Sequence, residues 1–150
     1  MPQTSPLKIL VDLAEHKSQE TARNLSLLVN RGEQGEVKLQ LLRNYLQEYR
    51  TRLDEAVQEG LDGERLRNYL SFIARLERAI AEQAQEVARA QARVDQEKQR
   101  WREHERERRT YETLLERRRA ESQRAEARQQ QKQSDEIATR TATRQTTTGN

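Results

Sequence analysis

The sequence predicts an all-α protein, a long two-stranded antiparallel coiled-coil hairpin with a disordered C-terminal tail. Apolar residues recur alternately three and four positions apart through two long stretches, the pattern of paired helices. A glycine-containing turn, Glu59–Glu64, separates the two stretches. The composition, 33% hydrophobic and 35% charged, offers too little apolar surface for the core of a globular domain and suits a thin helical assembly.

The first arm, about residues 5–60, begins where Ser5 and Pro6 form a favourable helix start. Two glycines, Gly32 and Gly35, lie inside it, and each costs about 1 kcal/mol relative to alanine in a helix. Because the register passes through both without a shift, we expect one continuous helix rather than two helices joined by a loop. The predicted seam is Leu7, Val11, Ala14, Ser18, Thr21, Leu25, Leu28, Gly32, Gly35, Leu39, Leu42, Leu46, Tyr49, Leu53 and Ala56.

The turn at residues 60–63 carries a recognisable stop and start signal. Gly60 is suited to end the first helix in the left-handed conformation. Asp62 is a favourable N-cap for the second helix, and Leu61 is placed to pack on Leu66 across it. These residues predict a tight hairpin with a defined register.

The second arm covers about residues 64–136, and its seam loses apolar character after Val94. Residues equidistant from the turn face each other, so Leu46 is expected to meet Leu76 and Leu28 to meet Val94. The predicted seam is Leu66, Tyr69, Ile73, Leu76, Ile80, Gln83, Val87, Ala90, Val94, Glu97, Trp101, His104, Arg108, Tyr111 and Leu115.

The end of the second arm has no partner within the chain. The first arm ends opposite Glu116, and an isolated helix is only marginally stable in water. We therefore expect the part beyond Glu116 to fray until a partner orders it. Residues 139–150 are polar and of low complexity, which predicts a disordered tail after a single hairpin domain of residues 1–138.

Several classes of protein are excluded by what the sequence lacks. It has no cysteine, no secretory signal pattern and no apolar run of membrane-spanning length, which together favour the cytosol. His16 and His104 lie at no metal-ligand spacing and are expected on the solvated surface. No glycine-rich phosphate loop is present, and a two-helix protein is expected to lack a concave pocket. We expect a non-enzyme with no cofactor and no metal site.

The arginine-rich segment Arg100–Arg128 allows three interpretations. Phosphate contacts would make it a nucleic-acid-binding helix. Trp101 and Tyr111 fall on the seam, however, and glutamates interleave throughout, which favours a solvated helix laced with charge pairs. Docking on an acidic protein surface is the third interpretation.

A second feature lies close to the turn. Tyr45 and Phe72 are large aromatic residues just off the ideal seam. They either thicken the core or form an exposed apolar patch, the usual mark of a protein partner site. The band they complete is wider than a two-helix interface needs and also holds Leu42, Tyr49, Leu76 and Ala79.

Several segments have an order and spacing that together are distinctive: Leu13-Ala14-Glu15; Leu42, Tyr45 and Tyr49; Asn68-Tyr69-Leu70-Ser71-Phe72-Ile73; Leu76-Glu77-Arg78-Ala79-Ile80 with Gln83; Trp101; Leu115-Glu116-Arg117; and Gln131-Lys132-Gln133-Ser134-Asp135-Glu136. In this arrangement the chain resembles the FliJ family of flagellar type III export proteins.

The resemblance implies a coiled coil similar to the central stalk of rotary ATP synthases. Its implied partners are the hexameric flagellar export ATPase, the cytoplasmic part of the export gate membrane protein, and export chaperones that it escorts. It also implies a protein that associates peripherally with the inner membrane at the flagellar base through its partners. From the pairing of the seams within one chain and the interleaved glutamates, we expect a cytoplasmic protein that is monomeric when alone and does not bind nucleic acid.

The resemblance further implies two partner sites. The gate-binding residues correspond to Leu42, Tyr45, Tyr49, Phe72, Leu76 and Ala79, with Lys38 where the family commonly has glutamine and Gln83 where it commonly has histidine. The ATPase is expected at the end that carries both termini, with Leu10, Leu13, Arg117, Arg118 and Arg119 as candidates. The alternatives are a general coiled-coil scaffold and a nucleic-acid-binding helix.

Overall fold

The computed structural model describes residues 5–148, which form two long α-helices joined by a short turn. Helix α1 is Pro6–Glu59 and helix α2 is Gly63–Thr148. The helices pack against each other as an antiparallel hairpin, and the described part of the chain contains no strand. This confirms the predicted fold class. Helix α1 continues without a break through Gly32 and Gly35, as the register predicts.

Both helix starts use the predicted residues. The hydroxyl of Ser5 accepts a hydrogen bond from the N–H of Leu7 at 3.2 Å, which caps α1. At the turn, Gly60 has a φ of 98°, the left-handed conformation that glycine adopts without strain. Asp62 Oδ1 accepts a hydrogen bond from the N–H of Arg65 at 2.8 Å and caps α2. The packing of Leu61 on Leu66 stays a prediction.

The predicted seams form the interface between the helices. Every one of their residues is buried or half-buried except Trp101, which is 36% exposed. Two small polar residues, Ser18 and Thr21, are buried among them, and the Thr21 hydroxyl donates to the carbonyl oxygen of Lys17 at 2.7 Å. Among the described residues, the buried apolar ones are Leu7, Val11, Ala14, Leu39, Ile73, Leu76 and Val94.

The chain divides into two compact units. The loop unit is Lys17–Glu103, and the terminal unit combines Met1–His16 with His104–Asn150. In the loop unit, Arg50 pairs with Glu77 at 2.9 Å. Counted from Leu61–Asp62, Glu77 lies four positions farther from the turn than Arg50, so the pair agrees with the predicted register to within about one helical turn.

The terminal unit has a more polar interface. Arg108 is half-buried on the seam and bonds to Glu105 and Glu112, both on α2, at 2.8 Å each. The hydrogen bonds to Glu105 and Glu112 raise the pKa of Arg108 above its usual value. His16 is exposed as expected, but His104 is half-buried and its Nδ1 forms no hydrogen bond.

Helix α2 extends beyond the predicted second arm. The structure describes residues 139–148 as helix where the sequence predicts a disordered tail, and residues 149–150 lie outside the described residues. All side chains from residue 121 to 148 are exposed. Threonine hydroxyls in this part bond to backbone carbonyls one turn earlier, for example Thr143 to Thr139 at 2.9 Å. Helix without tertiary contacts is marginal in water, so disorder of this part in solution stays a prediction.

Neither helix, within residues 5–148, has the combined length and apolarity that a membrane span requires. The same residues contain no group of three His, Asp or Glu side chains arranged to hold a metal ion.

Candidate partner-binding site

The predicted gate patch lies along one edge of the hairpin groove in the loop unit. Its flanking residues each precede a seam residue directly and recur every seven positions. That spacing brings such positions from both arms of an antiparallel pair onto one edge. We call this the aromatic edge: Lys38, Tyr45 and Arg52 on α1, and Arg65, Phe72 and Ala79 on α2.

The predicted patch residues differ in exposure. Tyr45 is 45% exposed and Phe72 is 37% exposed, and Lys38 is also exposed. Leu76 is buried in the core beneath them. This exposure favours a surface patch over a thickened core, because large aromatic side chains recruited to a core lose contact with water. The half-buried members are Leu42, Tyr49, Ala79 and Gln83.

Tyr49 lies at the centre of an aromatic cluster. Its ring centroid is 4.3 Å from that of Phe72 at an interplanar angle of 35°, and 6.4 Å from that of Tyr69 at 61°. Such pairs contribute about 0.5–1.5 kcal/mol each beyond the area they bury. The rings of α2 are thus held against α1, which orients Phe72 at the surface.

A shallow cleft of about 370 Å³ opens beside this cluster. The cleft is open to solvent, so it differs from the water-excluding pocket that the sequence predicts to be absent. The lining combines aromatic rings with guanidinium groups and contains no carboxylate and no imidazole. It is lined by Tyr49, Arg52, Arg65, Asn68, Tyr69 and Phe72.

Unlike the exposed residues of the patch, Gln83 forms a contact between the two helices. Its side-chain amide donates to the backbone carbonyl oxygen of Gly35 at 3.0 Å, across the groove. A Cβ on Gly35 would lie 3.5 Å from that amide nitrogen. Gln83 therefore joins the two arms, and a polar group on a coiled-coil seam also specifies register.

The opposite edge of the hairpin is built differently. Arg50 and Glu77 bridge it with an exposed ion pair, which contributes about 0–1 kcal/mol. Val57 and Leu70 are 56% and 50% exposed in the same unit. This edge has no aromatic cluster, which makes it a useful control surface.

The candidates for ATPase binding lie in the terminal unit. Leu10 and Leu13 on α1 are 41% and 47% exposed. On α2, the three consecutive arginines Arg117, Arg118 and Arg119 are exposed as well. The sequence interpretation missed Ile9, which is 55% exposed. Its spacing of four from Leu13 signals a shared helix face that does not belong to the seam.

Arg52 and Arg65 are the functional candidates that sequence reasoning missed in the loop unit. A signal for them exists, because each stands seven residues from an aromatic of the edge, Tyr45 or Phe72. Charged residues flanking a seam are common, so this spacing alone does not distinguish them from ordinary surface arginines.

Two of the ten arginines in the basic segment, Arg100 and Arg108, form pairs with glutamates of α2. Arg100 lies 3.7 Å from Glu97, and Arg108 bonds to two glutamates. Such pairing favours the solvated-helix interpretation of this segment over phosphate binding.

Comparison with known proteins gives a consistent result over nearly the whole chain. A family model described as "Flagellar FliJ protein" matches residues 3–147. Two relatives of that name, from Salmonella typhi and from Escherichia coli (strain K12), are each 35% identical to the chain over 144 residues. These alignments cover 96% of this chain and 98% of each relative.

Proposed function

The chain belongs to the flagellar FliJ protein family, and we propose that it is a non-enzymatic coiled-coil component of the flagellar type III export apparatus. In this proposal it links the export ATPase ring to the cytoplasmic part of the export gate membrane protein. It acts in the cytoplasm and reaches the inner membrane at the flagellar base only through these partners. It also escorts export chaperones.

The observation that carries the gate assignment is the exposure of two aromatic side chains beside the groove. Tyr45 and Phe72 stand at the surface while their neighbours Tyr49 and Leu76 are packed beneath. Solvent-exposed tyrosine and phenylalanine next to a rigid base are typical of protein interfaces. The aromatic edge thus has the composition of a binding surface and the firm support that lowers the entropy cost of binding.

Replacing Tyr45, Tyr49 and Phe72 together by alanine tests the gate assignment. We expect binding to the cytoplasmic part of the gate protein to weaken at least about a hundredfold, because central interface aromatics contribute about 2 kcal/mol or more each. Isothermal titration measures the affinity, and circular dichroism checks that the hairpin stays helical.

The matched control is the double variant Val57→Ala, Leu70→Ala on the opposite edge. It removes exposed apolar side chains from the same unit and is expected to leave the affinity unchanged. If the triple variant and the original chain bind the gate protein with equal affinity, the gate assignment is wrong.

The terminal unit is proposed to bind the ATPase. Leu10 and Leu13 offer apolar contacts on α1, and Arg117–Arg119 offer three charges on α2. We expect the purified chain to change the rate of ATP hydrolysis by the cognate export ATPase or its assembly into hexamers. The double variant Leu10→Ala, Leu13→Ala should lose this effect, whereas the gate triple variant should keep it. An ATPase that responds equally to both variants would contradict the assignment.

A further inference from the structure

The cleft at the aromatic edge shares Tyr49 and Phe72 with the gate patch and adds Arg52, Arg65, Asn68 and Tyr69, which the gate assignment does not use. Its walls are the rings of Tyr49, Tyr69 and Phe72, and its rim carries the guanidinium groups of Arg52 and Arg65. Tyrosine and arginine are the residues most enriched among those that dominate binding energy at interfaces. The cleft is open rather than enclosed, which suits a segment of a protein more than a small molecule.

The two arginines have unused hydrogen-bonding capacity. Within residues 5–148, neither guanidinium forms an ion pair with a carboxylate. The carbon Cζ of Arg52 lies 5.4 Å from the centroid of the Tyr49 ring. Stacking on a ring engages the face of a guanidinium and leaves its N–H edges free for a carboxylate. Along the aromatic edge the charged residues are Lys38, Arg52 and Arg65, all cationic.

We infer that this cleft binds an acidic segment of a protein partner, with one apolar side chain between the rings and a neighbouring carboxylate bonded by Arg52 and Arg65. The inference rests on the proposed function, since it assigns the occupant to the gate protein that the aromatic edge engages. It adds two arginines, Asn68 and Tyr69 to the site, and it specifies the charge of the partner.

The charge around the turn separates this occupant from nucleic acid. From Lys38 to Ala79, the two ends of the aromatic edge, the sequence carries eight basic and seven acidic side chains, so the charge around the turn is nearly balanced. A polyanion needs many phosphate contacts on a basic surface. A single carboxylate can be bound by Arg52 and Arg65 alone.

Two five-residue peptides test the cleft directly on the full chain. One has the sequence Ala-Glu-Phe-Glu-Ala, and the other replaces both glutamates by glutamine. Nuclear magnetic resonance follows the ring signals of Tyr49 and Phe72 during each titration. We expect the acidic peptide to bind about tenfold more tightly, because charge-assisted hydrogen bonds are roughly twice as strong as neutral ones. Equal binding of the two peptides overturns the inference.

The double variant Arg52→Gln, Arg65→Gln should remove the preference for the acidic peptide. The matched control is the double variant Arg43→Gln, Arg75→Gln. It changes two other exposed arginines of the loop unit and has the same net charge as the Arg52→Gln, Arg65→Gln variant. It should keep the preference. A loss of preference in both variants would mean that net charge and not the cleft selects the peptide, which also overturns the inference.

A third measurement uses the cytoplasmic part of the gate protein at rising salt concentrations. The Arg52→Gln, Arg65→Gln variant should bind several-fold more weakly and with a flatter salt dependence, whereas Tyr45→Ala should weaken binding and keep the salt dependence of the original chain. If the original chain does not bind this fragment, the proposed function fails, and the peptide titration still decides the chemistry of the cleft.

Two other occupants have their own signatures. A thymidine oligonucleotide that shifts the Tyr49 and Phe72 signals at lower concentration than the acidic peptide would favour a nucleic acid. Self-association of the original chain that disappears in the Arg52→Gln, Arg65→Gln variant would favour a second copy. Either result overturns the inference.

Discussion

Gly60 is the residue whose backbone decides how the chain reverses. Its φ of 98° lies in the left-handed region, where a side chain clashes with the following carbonyl. No heavy atom within 4 Å would meet a Cβ there, so any penalty of a substitution comes from the backbone conformation and not from crowding.

Gly60→Ala is therefore expected to lower the free energy of unfolding by about 1–2 kcal/mol. Urea denaturation followed by circular dichroism measures the change. Gly63→Ala is the control, since Gly63 begins α2 with an ordinary φ and equally open surroundings. It should be neutral or stabilising by up to about 1 kcal/mol. Equal losses in both variants would contradict the role of the left-handed conformation.

The hydrogen-bond partner of Gln83 could not be predicted from the sequence. Heptad spacing places Gln83 on the seam, and the family resemblance places it in the gate patch. Only the structure provides its partner, the carbonyl oxygen of Gly35, which is 48 residues away in the sequence. A contact between distant residues depends on the register of the whole pair, and a single-residue pattern does not contain it.

Among the elements, α1 follows its sequence pattern closely and α2 does so only in part. The three-and-four spacing predicts the seam because burying an apolar stripe dominates the packing of two helices. Beyond Leu115 the pattern ends, and nothing in the first arm remains to cover α2. Helix propensity alone decides the state of that segment, and propensity is a weak predictor of order.

Deleting residues 121–150 should change the free energy of unfolding by less than about 0.5 kcal/mol, because surface segments without packing contribute little. The described side chains from residue 121 onwards are all exposed. Urea denaturation of the shortened chain measures this. Deleting residues 105–150 is the comparison, since it also removes Arg108, Tyr111 and Leu115 from the seam, and it should be clearly destabilising. A loss above about 1 kcal/mol in the first variant would show that the segment packs on the hairpin.

For the whole molecule, the central question is whether the seams pair within one chain or between chains. Gly60 has the left-handed backbone conformation of a tight turn, and Asp62 caps the helix that follows. Both features favour pairing within the chain. A general scaffold that pairs between chains would have no need of this turn.

We expect sedimentation equilibrium to give a mass near 17.7 kDa. The unfolding temperature should be independent of protein concentration, because only an associating protein gains stability by mass action. A mass twice as large that falls on dilution would support the scaffold alternative. The aromatic edge would then be formed by helices of two different chains.

The predictable part of the molecule is the local part. Seam, caps and turn follow from neighbouring residues, and so does the position of Tyr45 and Phe72 beside the seam. The unpaired state of Arg52 and Arg65 was not predictable, because it depends on which carboxylates reach them in three dimensions. The stacking of Arg52 on Tyr49 depends equally on side-chain conformation.

The single turn also dictates the order in which the hairpin assembles. Arg50 and Glu77 are 27 residues apart, and Gly35 and Gln83 are 48 apart. Each doubling of a loop costs about 0.6 kcal/mol more in closure entropy, so contacts near the turn have a small advantage in forming first as the chain folds. In the folded protein, local unfolding is expected to begin at the contacts farthest from the turn. Amide hydrogen exchange detects this order, because amides that open more often exchange faster. We therefore expect amides of the terminal unit to exchange faster than those of the aromatic edge, which would keep its shape for a partner.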